Sequence, residues 1–247
     1  PFFFWKLFRF NLGGFLFSMW PLLRLLALVG ANLFLFTDTP GRQHFFGVHY
    51  ALTMLLAVIA SSGFFSRANR AETYSILARP VSRVTLTATL LLGAWLVTVV
   101  GYLLSSVAVL VRFGPWLRPD DPVTEWFDAR AFALGSVPVL VMALAVISLV
   151  GLLSTFVAPT GLRLALIALA ALMVMAFDSR NFPFEGLRPL LQQLPPIMAP
   201  FAGALRFATE ANPDPQATYS LVALGAYAAA FTLLVISLTS GRETVLE

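Results

Sequence analysis

Apolar residues in this chain come in long blocks, without the strict alternation of a half-buried strand. Six blocks stand out: Met19 to Phe36, Phe45 to Phe65, Val84 to Val111, Ala131 to Val157, Leu162 to Phe177 and Tyr219 to Thr239. A helix needs about 20 apolar residues to cross the hydrocarbon core, so the pattern predicts six membrane spans. The fifth is short: sixteen residues rise only about 24 Å at 1.5 Å each, and a neighbouring segment could help cover its end. The expectation is an all-α integral membrane protein, one transmembrane domain over residues 1–247, with no soluble unit of useful size.

Two other segments are patterned. The chain opens with FFFWKLFRFNLGGFLFS, where Lys6 and Arg9 lie three apart, on one helical face, among phenylalanines. That suits a helix over residues 1–18 lying in the interface with its aromatic side down; a longer, tilted first span is the alternative. Arg24 falls early in the first span, where it can snorkel to the nearer interface. A secretory leader does not fit, since Lys6 and Arg9 interrupt the apolar residues and no small-residue cleavage site follows. Between the last two spans, residues 178–218 hold GLRPLLQQL and PIMAPFAGALRFATE, both with helical apolar spacing, broken at the prolines of LPP and MAP. They predict two short helices that dip into or lie on the outer leaflet.

Composition agrees with the pattern. Only 11% of the 247 residues are charged against roughly 25% in soluble domains, and the mean hydropathy is +0.84. With no cysteine, disulfides, thiol catalysis and thiolate metal sites are excluded. The net charge of +4 is modest, and no basic tract with interleaved aromatics points to a nucleic-acid partner. Orientation follows from Lys and Arg. If both termini share a side, that side carries Lys6, Arg9, Arg24, Arg67, Arg70, Arg79, Arg83, Arg163 and Arg242; the other carries seven arginines amid nine carboxylates, Asp120, Asp121, Glu125 and Asp128 among them. The dense cluster between the second and third spans decides the assignment, and both termini are placed in the cytoplasm of a cell bounded by this inner membrane.

Catalytic chemistry is sparse. The span interiors are read as holding no acid or base, which argues against proton-coupled carriers and acid–base membrane proteases. His44 and His49 are five apart near the outer start of the second span, with no third histidine to complete a haem or zinc site. Both are read as structural. Lys6 is the only lysine, so the chain cannot contain a Walker A motif and does not hydrolyse ATP itself. No cofactor is expected in this chain.

The charges gather instead in RANRAETYSILARPVSR, where four arginines and a glutamate occupy seventeen residues between two apolar blocks. As a helix, Glu72, Ser75 and Arg79 fall on one polar face, beside a mostly apolar stripe of Thr73, Ile76, Leu77 and Pro80. Pro80 disfavours helical geometry at Arg79, so the helix is expected to end there. Two readings remain: a docking helix for a partner, or a positive-inside anchor without one.

The run R-A-E-T-Y-S-I-L-A-R-P-V-S-R, residues 70–83, resembles the first cytoplasmic loop of exporter-type ABC transporter permeases of the type V fold. There a glutamate, a Gly-Thr or similar pair, a leucine-rich turn and an Arg-Pro-Val-Ser-Arg-like run lead into the third span. Ala71-Glu72-Thr73 departs from it in lacking the glycine. The layout is similar along the whole chain, the motif over about fifteen residues. The resemblance implies a six-span subunit that pairs with a second permease chain, identical or not, in the lipid bilayer. A separate ABC ATPase subunit, which would bind the ATP and Mg, would dock on the coupling loop of residues 66–83. By position, Arg70, Glu72, Thr73 and Arg79 would meet the ATPase, while Pro80 and Arg83 would hold the turn into the third span. The loop from Ala158 to Arg163 would be a lesser contact. Scattered Thr98, Tyr102 and Ser105 in otherwise apolar spans favour an amphipathic substrate over a hydrated ion. A non-catalytic membrane subunit of a respiratory or photosynthetic complex is the alternative.

Overall fold

A computed structural model describes residues 42–68, 82–113, 129–156, 199–209 and 214–241, together with Gly30. These form five helices: α1 (Arg42–Ala68), α2 (Arg83–Phe113), α3 (Ala129–Phe156), α4 (Ala199–Thr209) and α5 (Pro215–Gly241). All but α4 are long and apolar enough to cross a membrane, and the described elements are all helical, as in an α-helical membrane protein. The expected second, third, fourth and sixth spans thus coincide with α1, α2, α3 and α5. The first and fifth spans, the 1–18 helix and GLRPLLQQL lie outside the described residues.

Side-chain contacts set the directions. Phe64 lies against Gly93 while the rings of His49 and Tyr102 meet, so α1 and α2 are antiparallel. Phe46 lies against Gly135 and Phe65 against Gly151, so α1 and α3 are parallel. Ser148 and Thr232 share a hydrogen bond of 2.8 Å, and Ser220 near the start of α5 meets Gly203 of α4 at the Phe132 end of α3, so α3 and α5 are parallel. Phe45, Phe46, Val109, Phe132 and Ala208 pack together at one end of the bundle; Ser82 and Phe156 stand at the other. Helix α4 sits at the cluster end, so Phe156 and Ala199 are at opposite ends.

Helix α1 is the hub. Among its described side chains only Ala51 and Leu55 are exposed, and the rest pack on α2, α3 and α4. Membrane helices gain no hydrophobic drive from leaving lipid, so close packing over small residues holds them. Here three phenylalanines of α1 fill notches above Gly93, Gly135 and Gly151. On α2, Val100, Leu103, Leu104, Val107 and Val111 form an exposed apolar stripe at helical spacing. Helix α5 touches the bundle through Ala217, Leu224, Ala228 and Val235 and leaves its remaining faces outward.

The helix starts follow capping rules. Ser82 Oγ accepts the Thr85 N–H at 3.1 Å and pairs with Thr85 Oγ1 at 2.8 Å. Asp214 Oδ1 accepts the Ala217 N–H at 2.6 Å, with Pro215 as the first helical residue. Within PIMAPFAGALRFATE, Ala199–Thr209 forms α4, and its Phe201, Ala202, Ala204 and Ala208 are buried against α1, α3 and α5. Its eleven residues rise about 16 Å, and alanine and Gly203 allow the close approach, with Gly203 directly under Ser220.

Candidate functional site

Of the residues singled out in the charged stretch, Arg70, Glu72, Thr73, Arg79 and Pro80 lie outside the described residues, as does the 158–163 loop. Arg83 is the first residue of α2. The turn into α2 is capped by Ser82, a residue the motif reading passed over. Its signal was present: serine three residues before a threonine, ahead of an apolar run.

The described residues converge elsewhere, at the cluster end. His49 enters from α1, Tyr102, Ser105 and Ser106 from α2, Ser136 from α3, and all are buried. Tyr50, next to His49, reaches α4 through its hydroxyl, which donates to Phe201 O at 2.8 Å. Helices α2 and α3 bring polar atoms to this end where serines interrupt their apolar faces, and α1 adds His49 and Tyr50. Buried hydroxyls in a water-free core must find acceptors.

His49 Nδ1 lies 2.9 Å from Phe45 O, a hydrogen bond made when that nitrogen carries the proton. The hydroxyl protons can be assigned. Ser136 Oγ donates to Phe132 O at 2.7 Å. That spends its only proton, so the 2.7 Å contact with Tyr102 is Tyr102 donating to Ser136. Ser106, one turn beyond Tyr102, is within reach of the Tyr102 hydroxyl. It nevertheless holds no hydrogen bond of sound geometry, although it is 1% exposed.

Aromatic rings enclose this chain. Phe45 stacks on His49 with centroids 4.0 Å apart, and Tyr102 meets the same imidazole edge-on at 5.7 Å. Phe132 lies 6.3 Å from Phe45, 6.3 Å from Phe46 and 6.5 Å from Tyr102. Such a site can offer hydrogen bonds and ring faces to a polar group inside the membrane. Among the described residues, no group of three His, Asp or Glu could hold a metal ion.

Two expectations change in this light. Span interiors were read as free of acids and bases, yet His49 lies four residues inside the apolar segment Phe45–Phe65. Tyr102 and Ser105 were noticed only as scattered polar residues, and Ser106 and Ser136 were missed; no sequence signal joins positions so far apart. No known family, curated protein or solved structure matches this chain.

Proposed function

We propose that this chain is the transmembrane subunit of an ABC exporter, driven by a separate ATPase that docks on residues 66–83. The observation that carries the reading is the Arg67–Arg83 stretch, four arginines and a glutamate in a motif-like run between two helices able to span a membrane. Supporting it, the described spans hold hydroxyl and aromatic side chains with His49 as their one ionisable imidazole, and the chain has no phosphate-binding lysine loop. Transport work would therefore draw on energy supplied by a partner. On this reading the chain crosses the inner membrane six times with both termini in the cytoplasm, an interfacial helix precedes the first span, and a second permease chain completes the pathway. Glu72, Thr73, Arg70 and Arg79 meet the ATPase, which binds ATP and Mg, and Pro80 and Arg83 hold the turn.

The test is purification from native membranes in gentle detergent, comparing wild type with Glu72→Ala/Arg79→Ala. An ATPase recovered with wild type and depleted in the double variant supports both class and contacts. An ATPase retained by the variant leaves the class standing and removes the contacts. Redox or light-harvesting subunits in place of an ATPase overturn the proposal in favour of a structural subunit.

A further inference from the structure

Helix α3 changes character at Pro138. Before it, Arg130, Ala133, Leu134 and Val137 are exposed; from Pro138 to Thr155 no residue is. Proline supplies no N–H, so Leu134 O loses its partner in the helical ladder. Two residues earlier, Ser136 bonds back to Phe132 O, a pattern that bends helices, and Gly135 adds no side chain. Kinks in membrane helices gather at such Gly, Ser and Pro positions. What ties the segment 129–137 to the bundle is the Tyr102 hydrogen bond to Ser136, the Phe46 ring over Gly135 and the seating of Phe132 among Phe45, Phe46 and Tyr102.

Tyr102 also has a second acceptor at hand. Ser106 Oγ lies one turn along the same helix, buried and without a hydrogen bond. Its contact with the Tyr102 hydroxyl falls short of hydrogen-bond geometry, and a second arrangement would complete it. We propose that residues 129–137 form an intramembrane gate hinged at Gly135–Pro138, with Tyr102 as its two-position latch. Closed, Tyr102 donates to Ser136. Open, it donates to Ser106, so the exchange conserves its hydrogen bond while Phe132 withdraws from the aromatic cluster. Opening uncovers His49, Tyr102 and Ser105 to the polar head of an amphipathic molecule; that role rests on the transport reading, the hinge and latch do not.

The two serines give the proposal opposite signs. Ser136→Ala removes the closed-state acceptor and favours the open gate. Ser106→Ala removes the open-state acceptor and favours the closed one. Each is expected to shift the open-to-closed ratio roughly threefold to tenfold, the range for a hydrogen bond between membrane helices. Because the chain has no native cysteine, nitroxides can be placed at Leu104→Cys and Leu134→Cys, half-exposed positions on α2 and on the gate. A control pair at Leu55→Cys and Phe156→Cys lies outside the gate. Distances are measured by electron–electron resonance in lipid nanodiscs, on full-length chain purified with its bound partners. Two populations for the gate pair, moved in opposite directions by the two variants, with one unmoved population for the control, establish the latch. A single unchanged distance in all proteins, or a shift of both variants in one direction, overturns it. Circular dichroism and gel filtration of the same samples certify folding. ATPase co-purification, scored separately, keeps a failed latch distinct from a failed transport reading.

Discussion

The glycine notches make a quantitative expectation. An alanine methyl at Gly135 would collide with the Phe46 ring: Cε2 and Cε1 would stand 2.6 and 2.7 Å away, with Cζ closer still. Phe46 is fully buried between Phe45 and Phe132, so its ring has little room to withdraw. Overpacking of this kind costs about 1–3 kcal/mol. Any Gly→Ala change in a helix also gains about 1 kcal/mol of propensity, which would blur a single measurement. Gly225 supplies the subtraction, since a methyl there meets nothing within 4 Å. Both variants share the propensity gain, and their difference isolates the clash.

For a chain of this size 1 kcal/mol moves Tm by about 2–4 °C. Gly135→Ala is therefore expected to melt roughly 2–12 °C below Gly225→Ala in one detergent, by circular dichroism or thermal-shift gel filtration. Phe46→Leu should then be less harmful beside Gly135→Ala than in wild type, because it removes the ring that the methyl strikes. Equal melting of the two glycine variants, or strict additivity of the Phe46 and Gly135 changes, would falsify the notch.

Other expectations are more local. Ser148 Oγ contacts Thr232 Oγ1 at 2.8 Å, and Thr232 donates to Ala228 O at 2.7 Å, so Ser148 is the donor. Thr232→Val, which strands the fully buried Ser148 hydroxyl, should therefore lower Tm more than Ser148→Ala; the reverse order would refute the assignment. Asp214→Ala and Ser82→Ala each remove an N-cap and should cost about 1 kcal/mol, read as faster amide exchange confined to the first turns of α5 and α2. Single cysteines at Ser82 and Phe156 should react with an impermeant maleimide from one face of the membrane, and those at Arg112, Arg130 and Arg206 from the other. The charge count puts the first pair in the cytoplasm, and labelling of Ser82 in intact cells would reverse the orientation.

Legibility in the sequence tracked the strength of the physical signal. Lipid demands unbroken apolar length, so Phe45 to Phe65 could be read directly, and the ends of α2 and α3 within two residues. Helix α5 starts at Pro215, four residues before the expected Tyr219, because Pro215-Gln216-Ala217-Thr218 is polar and only the Asp214 cap shows that it is helical. Hydropathy is blind to caps. The site is a harder case. Tyr102, Ser136 and His49 come from three helices, and each alone is an ordinary polar residue in a span. Only the crossing of α2 over α3 turns Tyr102 and Ser136 into a pair. Likewise Gly93, Gly135 and Gly151 are visible in the sequence, but not which phenylalanine fills each notch.

The packing also bears on how the charged stretch could reach a site at the other end of the bundle. Helix α1 runs about 34 Å from the aromatic cluster to Ala68, where the charged stretch begins, and α2 returns from Ser82 to Tyr102. Phe64 on Gly93 and Phe65 on Gly151 lock α1 to α2 and to the part of α3 beyond Pro138. That leaves a stiff unit whose loop end and cluster end must move together. The segment before Pro138 is outside the unit, joined to it through Phe132, Phe46 on Gly135 and the Tyr102 hydrogen bond. Coupling between distant sites needs an element with two discrete arrangements that both sites bias. A partner pressing on residues 67–83 would tilt the stiff pair as one body and carry Tyr102 relative to Ser136, while Ser106 travels with Tyr102 on α2. The contact that changes is therefore the one across the hinge. On the proposed reading, then, Ser106→Ala and Ser136→Ala should alter how far ATP hydrolysis opens the gate without altering how tightly the ATPase binds.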